Sequence, residues 1–190
     1  VLKRPSFRVI LVISIVIVVG MAAAWRMATV NSRWPQINNH AVQPGEPLEI
    51  HGMTLTVTGA QLLTGDALPK NAKNLGYSTD DMKMILVDLV LRNDTTQDLD
   101  AGAIQTIFAF NLQSGQWYNG VSVKDVSSLN KDGMKNGIPV GAERHLVLPF
   151  NLLASQFTAE SWPWVGQRDF SLVMVWYPDR YQLHLPRVEK

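Results

Sequence analysis

Sixteen consecutive uncharged residues, Val9 to Ala24 (VILVISIVIVVGMAAA), constrain this chain more than any other feature. Extended to Trp25, the run forms a helix of about 25 Å at ~1.5 Å per residue, close to the ~30 Å hydrocarbon core of a bilayer. Phe7, Met27 and the snorkelling stems of Arg8 and Arg26 supply the remaining length. β-branched residues at this density form helices poorly in water, but hydrocarbon leaves the backbone no partner except itself. Trp25 and Trp34 fall where interfacial aromatics gather, and Lys3, Arg4 and Arg8 precede the run, so the N-terminus is expected on the cytoplasmic side. The expected organisation is a cytoplasmic tail over 1–8, a transmembrane helix over 9–26 acting as a signal anchor, a polar stalk over 27–44 and an extracytoplasmic domain over 45–190. The competing reading is a cleaved signal peptide, since Ala22-Ala23-Ala24 fits an A-x-A cleavage site. Either way the domain is exported.

Charge is distributed unevenly. The first thirty residues hold four basic groups and no acid, leaving thirteen basic against sixteen acidic residues from Asn31 onward. A mildly acidic domain offers phosphates no clustered cations, which argues against nucleic acid as a partner. There is no cysteine, so disulfides, thiolate metal sites, a cysteine nucleophile and an N-terminal lipidated cysteine are all excluded for this sequence. The domain must hold together by its core alone, which about 150 residues can do.

Past the stalk the pattern is that of short strands. Leu48 and Ile50 alternate with polar residues, His51-Gly52 makes a tight turn, and Leu55 and Val57 then share one face: a hairpin. Thr64 to Asp81 is a long polar connection. Met82 to Asn93 (MKMILVDLVLRN) is apolar on both parities, as in a central strand covered on both faces, and Asn93-Asp94-Thr95, formally a glycosylation sequon, reads as a turn. Ala103 to Leu112 is a further strand with Phe108, Phe110 and Leu112 on one face, turned by Ser114-Gly115 into Gln116 to Val121. Lys124 to Glu143 is irregular. Arg144 to Leu152 directs Leu146, Leu148, Phe150 and Leu152 inward, and Phe170 to Tyr177 pairs with Arg180 to Leu185 across Pro178-Asp179. Seven or eight strands and no amphipathic helix beyond a turn near Ser155 to Trp162 predict an all-β antiparallel sandwich.

The order of these features resembles a broad family of bacterial exported, membrane-anchored immunoglobulin-like domains of unknown function. The similarity runs from Pro44 to Leu185. It is carried by Pro44-Gly45-Glu46 entering the first strand, by Val90-Leu91-Arg92-Asn93, by the Ser-Gly hairpin before Trp117-Tyr118, and by Pro139-Val140-Gly141-Ala142-Glu143 leading into Leu146 to Phe150. The resemblance implies an immunoglobulin-like fold and an envelope location, and it transfers no catalytic residue.

No catalytic or metal-binding constellation emerges, and no cofactor is expected. His40, His51, His145 and His184 have no second ligand at metal spacing and read as solvated strand residues. Asp80, Asp81, Asp94, Asp98 and Asp100 read as solvated turns, as does Asn130-Lys131-Asp132-Gly133, which lacks the spaced acids of a calcium loop. The unusual segment is Phe157 to Phe170 (FTAESWPWVGQRDF). Phe157, Trp162 and Trp164 around Pro163 and Gly166 could form a stiff aromatic partner-binding surface or cap the open end of the sandwich as core. The expected function is a non-enzymatic interaction module, held to the lipid bilayer by its helix and binding a membrane-complex protein or an envelope ligand. The alternatives are a structural subunit of a transporter or secretion assembly, for which Gly20 and Ala24 have helix-contact spacing, and an envelope hydrolase with dispersed catalytic residues.

Overall fold

The computed structural model describes residues 7–34, 36–70, 77–100, 102, 109–130 and 136–188. It divides into two compact units, one ending at Ile37 and one beginning at Asn38. The first holds a 25-residue helix, α1 (Phe7–Asn31), long and apolar enough to cross a membrane and with no buried residue. It runs five residues past the span expected from hydropathy, because Met27 to Val30 keep helical geometry; Thr29 returns its hydroxyl to the Trp25 carbonyl at 2.8 Å.

The second unit is a two-sheet β-sandwich. Its strands are β1 (Asn38–Val42), β2 (Leu48–Ile50), β3 (Met53–Thr64), β4 (Met82–Asn93), β5 (Asn111–Ser114), β6 (Trp117–Gly120), β7 (Glu143–Leu153), β8 (Ser171–Trp176) and β9 (Asp179–His184). One sheet has the order β1-β9-β8-β5-β6 and the other β2-β3-β4-β7. Nine strands among the described residues stand where seven or eight are expected, and the sandwich is not wholly antiparallel, since β1 runs parallel to β9. That strand lies within the segment read as stalk. NNHAV shows no alternation because it sits at a sheet edge, mostly exposed, and is recruited by backbone pairing rather than burial.

The hairpin of β2 and β3 turns at His51-Gly52 as its sequence indicates, with Ile50 opposite Met53 and Leu48 opposite Leu55. A bulge between Val57 and Gly59 then adds one residue to β3. Because strand side chains alternate with period 2, that residue switches the buried parity from Met53, Leu55 and Val57 to Ala60 and Leu62.

β4 lies between β3 and β7, as a central strand should, but its cover differs from expectation. Ile85, Val87, Leu89 and Leu91 face the core and are at most 1% exposed. The opposite face is buried only near its start, where Met82 and Met84 meet Leu68 from the polar connection in a small second cluster. Further along that face Asp88 and Arg92 are exposed. On β7, Leu146, Leu148, Phe150 and Leu152 all point into the core.

β5 begins only at Asn111, and Phe110 and Leu112 are buried; residues 103–108 of the expected longer strand, including Phe108, lie outside the described residues. The stretch read as irregular contains a helix, α2 (Val123–Leu129), with Val126 buried. Asn130 follows it and acts as a side-chain substitute for a strand. Its amide nitrogen donates to the Val147 carbonyl at 2.8 Å, and its oxygen accepts the Val147 N–H at 2.7 Å.

Candidate functional site

The aromatic loop enters from β7 through a short 3₁₀ turn (Ala154–Gln156) and carries a second one, Trp162–Gln167, with Pro163 in its first turn. In 3₁₀ geometry residues i and i+3 eclipse, so Trp162 and Val165 share one side and Trp164 lies off it. Val165 is fully buried. Trp162 is half-buried, its Nε1 donates to the Asp80 carbonyl at 3.1 Å, and the Lys83 ammonium sits 4.3 Å from its ring centre. The same ammonium donates to the Trp162 carbonyl at 2.7 Å. Phe157 is half-buried between Trp117, at 5.3 Å, and Trp162, at 5.8 Å.

The three residues singled out in the sequence are therefore divided. Phe157 and Trp162 pack against the main core and fix the loop, whereas Trp164 is 63% exposed. Trp164 borders a groove of about 330 Å³ whose walls include Leu62, Thr64, Lys83, Gln167 and Arg187. An exposed indole beside hydroxyl, amide and guanidinium groups can stack on a flat apolar ligand face while its polar neighbours fix orientation. Gly166 brings the loop backbone against the sheet: a Cβ there would lie 2.6 Å from Leu62 Cδ2.

A second cluster lies where the β2–β3 and β8–β9 turns meet, and it escaped the sequence reading. His51, in the left-handed region at φ 51°, packs edge-on to Trp176 at 4.6 Å and approaches Tyr181 at 6.4 Å. His40 stacks on Tyr181 at 5.0 Å and contacts Asp179 Oδ1 through Nε2 at 2.8 Å. The bond from His40, then that from Asn38, holds the Asp179 carboxyl below its ordinary range, against a smaller opposing effect of burial. Burial, then the Asp179 charge, raises the Tyr181 phenol. Beneath lies a cavity of about 100 Å³ lined by Ile50, His51, Met53, Leu55, Phe110, Met174 and Trp176. His40 and His51 are each more than a hundred residues in sequence from Trp176, Asp179 and Tyr181, so no local spacing could reveal the cluster.

The remaining candidates have structural occupations. Ser171 Oγ and His184 Nδ1 are 3.0 Å apart as direct cross-strand partners, but the other His184 nitrogen faces the Gln182 amide at 3.5 Å rather than a carboxylate that would orient a base. His145 is exposed. Among the described residues, no group of three or more His, Asp or Glu is placed to hold a metal ion. Asn93 of the formal sequon is fully buried with its amide nitrogen donating twice, so its side chain is closed to modification. Asn130 is committed to Val126 and Val147, and residues 131–133 lie outside the described residues.

Fold and sites together define a two-sheet β-sandwich domain preceded by one apolar helix. The chain belongs to the DUF5028 family, described as a domain of unknown function, whose model matches residues 39–181. Similar solved structures include an uncharacterized β-sandwich protein from Clostridium difficile 630, 12% identical over 80% of this chain and 97% of that one, with a TM-score of 0.47. Another is the yjhA protein from Bacillus subtilis, 14% identical over 76% and 99%, with a TM-score of 0.45. A functionally unknown protein from Listeria monocytogenes EGD-e is 10% identical over 76% and 82%, with a TM-score of 0.46. No curated protein matches the chain.

Proposed function

We propose that this protein is a non-catalytic interaction module, anchored by α1 with its N-terminus in the cytoplasm, that binds an envelope ligand or membrane-complex partner at the Trp164 groove. The observation carrying the reading is the contrast within one turn of loop. Trp162 is pinned to Asp80 and Lys83, while Trp164 keeps 63% of its surface open beside Thr64, Gln167 and Arg187. Binding energy concentrates in a few rigid aromatic anchors, and a loop already fixed by its neighbours loses little entropy on binding. Anchoring is supported by the charge-free run and the basic residues before it. Immunoglobulin-like kinship belongs to the same proposal. The β9-β8-β5-β6 run with a parallel strand at its edge favours it, whereas the direct β3–β4 hairpin within one sheet departs from the usual strand alternation.

The test uses the full chain in its native membranes. Protease added to spheroplasts should degrade the domain and spare an N-terminal tag. Trp164→Ala should release material captured from mild detergent extracts while leaving the melting temperature unchanged. Capture that survives Trp164→Ala would refute the groove, and a protected domain would refute the topology.

A further inference from the structure

Hairpin tips in exported domains ordinarily carry Asn, Gly and Asp, which favour tight turns and water. The β8–β9 hairpin instead closes through Tyr177-Pro178 with Val175 and Trp176 at the end of β8, and Val175, Trp176 and Tyr177 are 62%, 53% and 47% exposed. Val140, on the loop whose Gly141 N–H donates to the Asn93 carbonyl at 2.7 Å, adds another exposed apolar residue at the same end of the sandwich, 52% open. This is also the end where the chain enters the domain. The Asn38 N–H donates to the Pro178 carbonyl at 2.9 Å, and Asn38 stands opposite Asp179 in the register. Seven residue steps separate Asn38 from Asn31, the last residue of α1. Such a segment spans at most about 25 Å when fully extended. The tip is thus tied by a short tether to a helix with the length and composition of a membrane span.

We propose that the Val175–Tyr177 tip seats in the interfacial layer of the same bilayer that α1 crosses. The inference rests on α1 being a retained anchor. Trp and Tyr suit this layer because each joins an apolar ring to one polar group. Trp176 is braced from behind by His51 at 4.6 Å, so its ring is held rather than free to fold back. Charge does not drive the contact. Arg92 is paired with Asp94 at 2.7 Å, His40 contacts Asp179 at 2.8 Å, and Arg180, next to the turn, is half-buried with its guanidinium donating to Gln113 at 3.3 Å.

The absence of cysteine makes the test clean. Full-length protein bearing a single environment-sensitive fluorophore at Val175→Cys, at Ser155→Cys beyond the far end of β7, or at Val16→Cys within α1 is reconstituted into phosphatidylcholine vesicles containing doxyl-labelled lipids. Quenching at position 175 should exceed that at 155 by about twofold or more, reflecting interfacial placement. It should fall to the level at 155 when Trp176→Ser and Tyr177→Ser are added, and it should not respond to added salt. Equal quenching at 175 and 155, with 16 strongly quenched, overturns the tip contact and leaves the anchor standing. An unquenched probe at 16 overturns both. A probe at 175 shielded from lipid quencher and aqueous iodide alike means that a protein covers the tip, which overturns the lipid assignment.

Discussion

The Asn93 amide nitrogen donates to the Ile138 carbonyl at 2.9 Å across 45 residues of sequence, at a position fully sealed from solvent. The same nitrogen reaches the Gln97 carbonyl at 2.8 Å, and the amide oxygen accepts from the Thr95 N–H at 3.0 Å and its hydroxyl at 2.6 Å. One side chain at the end of β4 thus satisfies all four of its hydrogen-bonding positions and joins two loops. Leu99 and Ile138 form an isolated bridge beside it.

Replacing Asn93 with Ala strands those buried partners and should cost about 2–4 kcal/mol. Asn93→Asp should be worse at neutral pH, because a carboxylate keeps the Thr95 bonds but turns an acceptor toward two carbonyls. Urea unfolding of the three proteins checks the order. An Asp variant more stable than the Ala variant would contradict the network.

Trp162 and Trp164 should part company on substitution. Trp162→Ala removes a half-buried ring, its bond to Asp80 and the seat of Lys83, and should cost about 2–3 kcal/mol, below the range for a fully buried Trp. Trp164→Ala should stay within about 0.5 kcal/mol of the wild type, as exposed positions do. Calorimetric melting of the two single variants decides it; equal losses would mean that the loop is simply core.

How far the fold could be read follows from which forces leave a local trace. Alternation in Arg144 to Leu152 and across His51-Gly52 reports burial directly, and those elements lie where the pattern places them. β1 leaves no trace because it is held by backbone pairing, and α2 leaves little because a seven-residue helix buries few side chains. The bulge at Thr58 is also silent: Thr56, Thr58 and Gly59 look alike whether or not the ladder slips. At the site, a run of aromatics around Pro163 was visible. The division of labour between Trp162 and Trp164 was not, since it depends on 3₁₀ spacing. The His40, His51, Asp179 and Tyr181 cluster is built from three separate chain segments and required the fold itself.

The uneven cover of β4 gives a sharp contrast between adjacent residues. Leu89 is 1% exposed and faces the core, whereas Val90 lies on the other face, half-buried between the exposed Asp88 and Arg92. Leu89→Asp places a charge in apolar surroundings at a cost of several kcal/mol, against a total stability of about 5–15 kcal/mol, and should abolish folding. Val90→Asp should cost about 1 kcal/mol, since solvent reaches that face. Folded yield and melting of both variants test this. Comparable damage at the two positions would mean that the outer face is covered along its whole length.

Asp179 offers a test by pH. Its Oδ1 is bonded to His40 Nε2 at 2.8 Å and accepts from Asn38 Nδ2 at 3.2 Å, and these bonds lower its folded-state pKa from the ordinary 3.8. A carboxyl with a depressed folded pKa binds protons less readily folded than unfolded. Its contribution is therefore present above the unfolded value and is lost as pH falls through the folded one. The melting temperature of the wild type should exceed that of Asp179→Asn at pH 5, with the gap closing as pH drops below about 4. High salt should narrow the gap at pH 5, because the pair is partly exposed. Matched melting curves across that window provide the measurement. A gap that persists undiminished to pH 2, or widens on acidification, would show that Asp179 holds the β1–β9 edge by something other than its charge.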